Sequence, residues 1–85
     1  MPELVVYSTT HCGDCKVARH VLERHDLDYR EVDVDRDDAA RELVLDLNGG
    51  YCTVPTIVFP SGRVVVEPSA RELESVLENE GLLEA

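Results

Sequence analysis

Two strand-like runs flank a helical stripe at the start of this chain, and that arrangement restricts the fold more than any other feature. Leu4 to Tyr7 is a continuous apolar run, suited to a short strand covered on both faces as in a parallel or mixed sheet. Val17, Ala18, Val21 and Leu22 then draw one apolar stripe on a helix of about three turns that ends near His25. Tyr29 to Val34 alternates polar and apolar, with Val32 and Val34 on one face, and reads as a second strand. A strand, a helix and a strand in this order close as a right-handed βαβ unit.

The second half continues with a different grammar. A helix is expected from about Asp37, with Ala39, Ala40, Leu43, Val44 and Leu47 on one side and Asn48-Gly49-Gly50 as its stop. Thr56 to Phe59 reads as a third strand, Pro60-Ser61-Gly62-Arg63 as a tight turn, and Val64 to Val66 as a fourth strand completing a hairpin. Ser69-Ala70-Arg71-Glu72 fits the S-x-x-E capping box, and Leu73, Val76 and Leu77 give the last helix its stripe as far as Gly81. The expected fold class is α/β, with a four-stranded mixed sheet and three helices in the order β-α-β-α-β-β-α. Repeats, linkers and low-complexity tracts are absent from the sequence, so residues 1–85 are read as a single domain.

Composition excludes several classes of function. Eighteen acids against eight bases leave a net charge of −10, which repels nucleic-acid phosphates and anionic membrane surfaces. Apolar runs end well short of the roughly 18 residues a membrane span needs, and the opening "MPELVVYSTTHC" has no basic stretch leading into an apolar one. A cytoplasmic location is expected. Three cysteines make no secreted disulfide framework, and a CxxC in a reduced compartment points to redox or metal chemistry.

Cys12 and Cys15, in "HCGDCK", lie at the N-terminus of the first helical stripe. A structural zinc site wants four ligands, and neither a second CxxC nor an H-x3-H occurs, so the residues favour redox use and no metal site is expected. Unsatisfied N–H groups at the start of a helix favour thiolate over thiol, which casts Cys12 as nucleophile. Cys15, one turn further in, is near enough to attack a mixed disulfide at Cys12 and act as the resolving thiol. Gly13 allows close approach of another molecule, Asp14 brings a carboxylate that opposes ionisation, and Lys16 with protonated His11 offsets it. Thr53-Val54-Pro55 has a proline opening a buried strand; held cis beside Cys12, it leaves the Val54 N–H and C=O for an extended thiol peptide.

The segments "YSTTHCGDCKVARHVLE", "NGGYCTVPTIVF" and "SGRVVVEPSARELESVL" resemble the glutaredoxins of the thioredoxin superfamily over nearly the whole chain, and the mycoredoxin branch most closely. The resemblance implies a thioredoxin-like fold and a thiol-disulfide oxidoreductase that reduces protein disulfides and mixed disulfides with a low-molecular-weight thiol. It implies that Cys12 becomes thiolated, that a second small thiol or Cys15 clears it, and that Pro55 is the family's cis-proline. The residues expected to receive the thiol are His11, Gly13, Asp14, Thr53, Val54, Pro55 and Ser69. No tightly bound cofactor is implied; the co-substrate is mycothiol, bacillithiol or glutathione. Partners are oxidised or thiolated proteins and, upstream, an NADPH-dependent disulfide reductase, with a monomer as the default state.

The chain departs from the glutathione users of the family at three places. Thr9 stands where many have Lys, Cys52 where many have Arg, and "VEPSARE" where they have GG-x-D. These departures favour mycothiol or bacillithiol. Two rival functions remain: a thioredoxin-like reductant fed directly by a flavin disulfide reductase, and an iron–sulfur cluster carrier, although Cys15 replaces the Ser of the carriers' CGFS motif. Plainer accounts fit other residues: His20 and His25 as structural, with His25 at a favourable helix end, Cys52 as a small hydrophobe, and the acidic run Asp33 to Asp38 as a strand end plus a helix start.

Overall fold

The computed structural model describes residues 3–10 and 12–83. Its elements are β1 (Val5–Ser8), α1 (Gly13–Arg24), β2 (Arg30–Asp33), α2 (Asp38–Leu47), β3 (Thr56–Val58), β4 (Val64–Val66) and α3 (Ala70–Asn79), the expected β-α-β-α-β-β-α order. The sheet runs β2-β1-β3-β4. β1 and β2 are parallel, with Val6 opposite Glu31, whereas β3 pairs antiparallel with β1 (Val6 opposite Ile57) and with β4 (Ile57 opposite Val65).

Alternation along the strands divides the interior. Val6 and Ile57 face a core that α1 and α3 close with Ala18, Val21, Leu22, Leu73, Val76 and Leu77. Tyr7 and Val32 face a smaller cluster, which α2 covers with Ala40 and Val44. The stripes differ from expectation in two places. On α1 the buried line is Cys15, Ala18, Val21 and Leu22, while Val17 is 42% exposed. On α2 only Ala40 and Val44 are buried, and Leu43 and Leu47 lie two-fifths exposed. Sequence period marks an apolar sector about two residues wide, and the width of the surface the helix meets decides which part of it is covered.

Local signals set the helix ends. Asp37 caps α2 by accepting the Ala40 N–H at 3.0 Å, and Asp33 accepts the Asp35 N–H at 2.9 Å, which accounts for the acidic run. All three helices finish in the Schellman pattern, with Leu27, Gly50 and Leu82 donating back to Leu22, Leu45 and Leu77. Two of the left-handed residues are Gly49 and Gly81; the third is Asp26, at φ 53°. Because a Cβ in that region is disfavoured by about 1 kcal/mol, Asp26→Gly is expected to stabilise the protein by about that amount, read as a shift in urea midpoint at unchanged slope. Beside this turn, Glu74 of α3 accepts from Arg24 (2.6 Å) and His25 (3.0 Å), clamping α1 to α3. The His25 bond, then the Arg24 bond, holds the Glu74 carboxyl below the usual carboxylate range.

Candidate active site

The CxxC lies where β1 gives way to α1. Cys12 is the N-cap: its backbone is extended (φ −115°, ψ 111°), and its sulfur takes the place a Ser or Asp oxygen usually holds, accepting the Cys15 N–H at 3.1 Å. The same sulfur donates its proton to the Val54 carbonyl at 3.8 Å, a long sulfur hydrogen bond. Cys12 is half-buried, Cys15 fully buried, and all three cysteines are free thiols.

Burial pushes the Cys15 thiol up to about 12, helped by its hydrogen bond with Cys12 and opposed by the Thr9 backbone. The two thiols of one motif therefore stand in different surroundings. Gly13 is exposed at the first helical position, and a Cβ built there would meet nothing within 4 Å. Asp14 is exposed in the first turn of α1.

Across from the helix, the Val54–Pro55 bond is cis, and Pro55 is buried. The Val54 carbonyl, expected to be free for a ligand, already receives the Cys12 S–H. The loop carrying it is braced from within. Thr56 donates to the Thr53 carbonyl at 2.6 Å and accepts from the Asn48 side chain at 3.0 Å. Sequence reasoning passed over this brace, although a threonine completely buried among apolar strand residues must find partners.

The structure thus brings together Cys12, Cys15, Gly13, Val54 and Pro55; Thr53, next in the chain before Val54, is half-buried. Ser69 is exposed and engaged in its own capping box: it accepts the Glu72 N–H at 3.1 Å and gives its N–H to the Glu72 carboxylate at 3.2 Å. His11 falls outside the described residues. Cys52 packs against the Val34–Ala40–Val44 cluster as a small apolar side chain.

A residue the sequence did not flag is Glu67. It is exposed, has a left-handed backbone (φ 47°), and its N–H is bound by the Pro55 carbonyl at 2.9 Å. The bond ties the end of β4 to the cis-proline, one residue from the carbonyl that contacts Cys12. Among the described residues no three His, Cys, Asp or Glu side chains group as a metal site would require, and no helix is long and apolar enough to cross a membrane.

Residues 4–65 match the glutaredoxin family. A protein of Mycobacterium tuberculosis named as a putative glutaredoxin is 39% identical over 74 residues, covering 87% of this chain and 88% of that protein. Mycoredoxin 1 of Corynebacterium glutamicum is 31% identical over 78 residues, covering 92% and 96%. Among solved structures, a thioredoxin-like protein superposes with a TM-score of 0.77 at 31% identity, covering 88% of this chain and all of that one. A CxxC at the head of α1 opposite a cis-proline, on a sheet of this topology, agrees with those likenesses: the chain belongs to the glutaredoxin family, is close to its mycoredoxin-like members, and is a thiol-disulfide oxidoreductase of thioredoxin-like fold.

Proposed function

We propose that this protein removes a small thiol from mixed disulfides on other proteins, with Cys12 as nucleophile, and that the small thiol is mycothiol. The observation carrying the reading is the setting of the Cys12 sulfur, half-exposed, with the Cys15 N–H of the helix start at 3.1 Å. An N–H donor aimed at sulfur is the partner a thiolate takes. In the first step the Cys12 thiolate attacks the small-thiol sulfur of the substrate. The bond between that sulfur and the substrate cysteine breaks, the substrate leaves as thiolate and takes a proton, and Cys12 holds the small thiol as a disulfide. A second molecule of the small thiol then attacks that sulfur, leaving as the small-molecule disulfide and freeing Cys12. An NADPH-dependent disulfide reductase returns this product to two thiols. Cys15 also stands one turn from the adduct, but burial disfavours its thiolate and makes it a slow attacker at neutral pH. The setting is a reducing one, the cytoplasm.

The choice of mycothiol rests on charge. Glutathione and bacillithiol carry carboxylates, whereas mycothiol carries none. The amides of Ser69 and Glu72 at the head of α3, which would otherwise suit an anion, are taken by the chain's own capping box. Glu67, exposed and bonded through its N–H to the Pro55 carbonyl, adds an acidic residue at this end of the sheet.

The deciding experiment is intact mass of the reduced Cys15→Ser variant after separate exposure to the disulfides of mycothiol, bacillithiol and glutathione. One adduct, fastest from mycothiol, is expected. Absence of any adduct, with the wild type still oxidising internally against protein disulfides, would replace the small-thiol role with that of a thioredoxin-like reductant. Adding Glu67→Gly is expected to raise the rate with glutathione disulfide about fivefold relative to mycothiol, the size of one like-charge contact near 4 Å in water.

A further inference from the structure

The two margins of the sheet are finished differently. β2 ends it with Arg30, Glu31, Val32 and Asp33, the charged kind of edge that resists further pairing. β4 ends it with Val64, Val65 and Val66 alone. Val65 leans on the α1–α3 core, while Val64 and Val66 project from the opposite face, 36% and 39% exposed.

The backbone of this edge is open in a defined way. Phe59 donates to the Arg63 carbonyl at 2.8 Å and Glu67 to the Pro55 carbonyl at 2.9 Å, with Ile57 opposite Val65 between them. In an antiparallel ladder, hydrogen-bonded and non-bonded positions alternate. Arg63, Val65 and Glu67 therefore face β3, and the N–H and C=O groups of Val64 and Val66 point away from the sheet.

We propose that β4 pairs with β4 of a second copy, antiparallel and centred on Val65, joining two four-stranded sheets into one of eight strands. That register places Val64 opposite Val66 of the second copy, so the outward-facing backbone groups meet in hydrogen-bonded pairs. It is self-consistent under two-fold symmetry. It also brings Arg63 of each copy to the strand end where Glu67 of the other, just past β4 and left-handed, turns out of the ladder, so the only charged residues flanking the strand approach their complements twice within a chain of net charge −10. Shifting the pairing by two residues loses both charge matches and one hydrogen-bonded pair. A three-residue edge buries far less than a standard interface, so the dimer is a weak one.

Sedimentation equilibrium of the reduced protein, from micromolar to millimolar at physiological salt to screen the net charge, is expected to show mass rising from 9.5 kDa toward twice that value. Amide exchange at Val64 and Val66 slows over the same range, while that of Val65, already bonded to β3, changes little. Arg63→Glu weakens association about tenfold, by turning two attractions into repulsions. The double variant Arg63→Glu with Glu67→Arg restores it, which separates the charge match from any folding defect. Val66→Lys abolishes association. A protein that stays at 9.5 kDa throughout overturns the proposal, as does association that persists undiminished in Val66→Lys or that the charge-swapped pair does not restore.

Discussion

Replacing Cys12 by serine is expected to reduce thiol transfer more than about a thousandfold, whereas Cys15→Ser leaves transfer from small-thiol mixed disulfides within a few-fold of wild type. The two substitutions are chemically identical, and the difference follows from where each sulfur sits. Cys12 caps α1 and is reached from solvent; a hydroxyl there would still cap the helix but is no nucleophile toward disulfide sulfur. Cys15 is completely buried, and at about 12 its thiolate is roughly one part in 10⁵ at pH 7. Substrates with an internal protein disulfide need a second protein thiol to release them, so Cys15→Ser is expected to slow those alone. Release of a thiolated peptide by each variant, followed by mass spectrometry with mycothiol as reductant, reads both effects. Alkylation by iodoacetamide at neutral pH supplies the partner measurement, with label on Cys12 and none on Cys15. Label on Cys15 in the folded protein, or equal loss of activity in both variants, would contradict the division of roles.

Features that depend on neighbours in sequence were legible; those that depend on distant partners were not. The capping box at Ser69 lies within four residues, and the structure contains both of its hydrogen bonds. The strand run at β1 and the thiols one helical turn apart are equally local. Glu67 looked like an ordinary charged loop residue. Its left-handed backbone accompanies a hydrogen bond to Pro55, twelve positions away, and nothing in "VEPS" announces that. The exposure of Leu43 and Leu47 was hidden for the same reason, since the sheet face under α2 selects Ala40 and Val44 from a wider apolar sector. Asp26 ends α1 in a conformation that glycine would have advertised. In the candidate site, the pattern of cysteines gave the pair but not its asymmetry, because how deeply each sulfur is buried is set by tertiary packing and not by the spacing of the motif.

That asymmetry also governs stability in alkali. Cys15 rises from its ordinary 9.0 to about 12 in the folded protein, chiefly through burial. Below pH 9 both folded and unfolded states keep the proton, and the thiol's contribution is fully present. Between pH 9 and 12 the unfolded chain releases the proton and the folded one does not, so the unfolded state binds fewer protons and stability falls as pH rises. At up to about 1.4 kcal/mol per pH unit the loss amounts to a few kcal/mol across that window, a sizeable part of what a domain of this size possesses. The Tyr29 hydroxyl, raised by burial and by its hydrogen bond to Glu23, acts with the same sign above its ordinary 10.0. Urea unfolding of the reduced protein in steps from pH 8 to 11, for wild type, Cys15→Ala and Tyr29→Phe, distinguishes them. Cys15→Ala is expected to start lower, having lost a buried sulfur, but to follow a flatter pH curve; Tyr29→Phe flattens only the upper end. A Cys15→Ala curve parallel to wild type would show that the thiol ionises as freely in the fold as outside it. The slow-attacker role assigned to Cys15 would then fail with it, since one burial accounts for both.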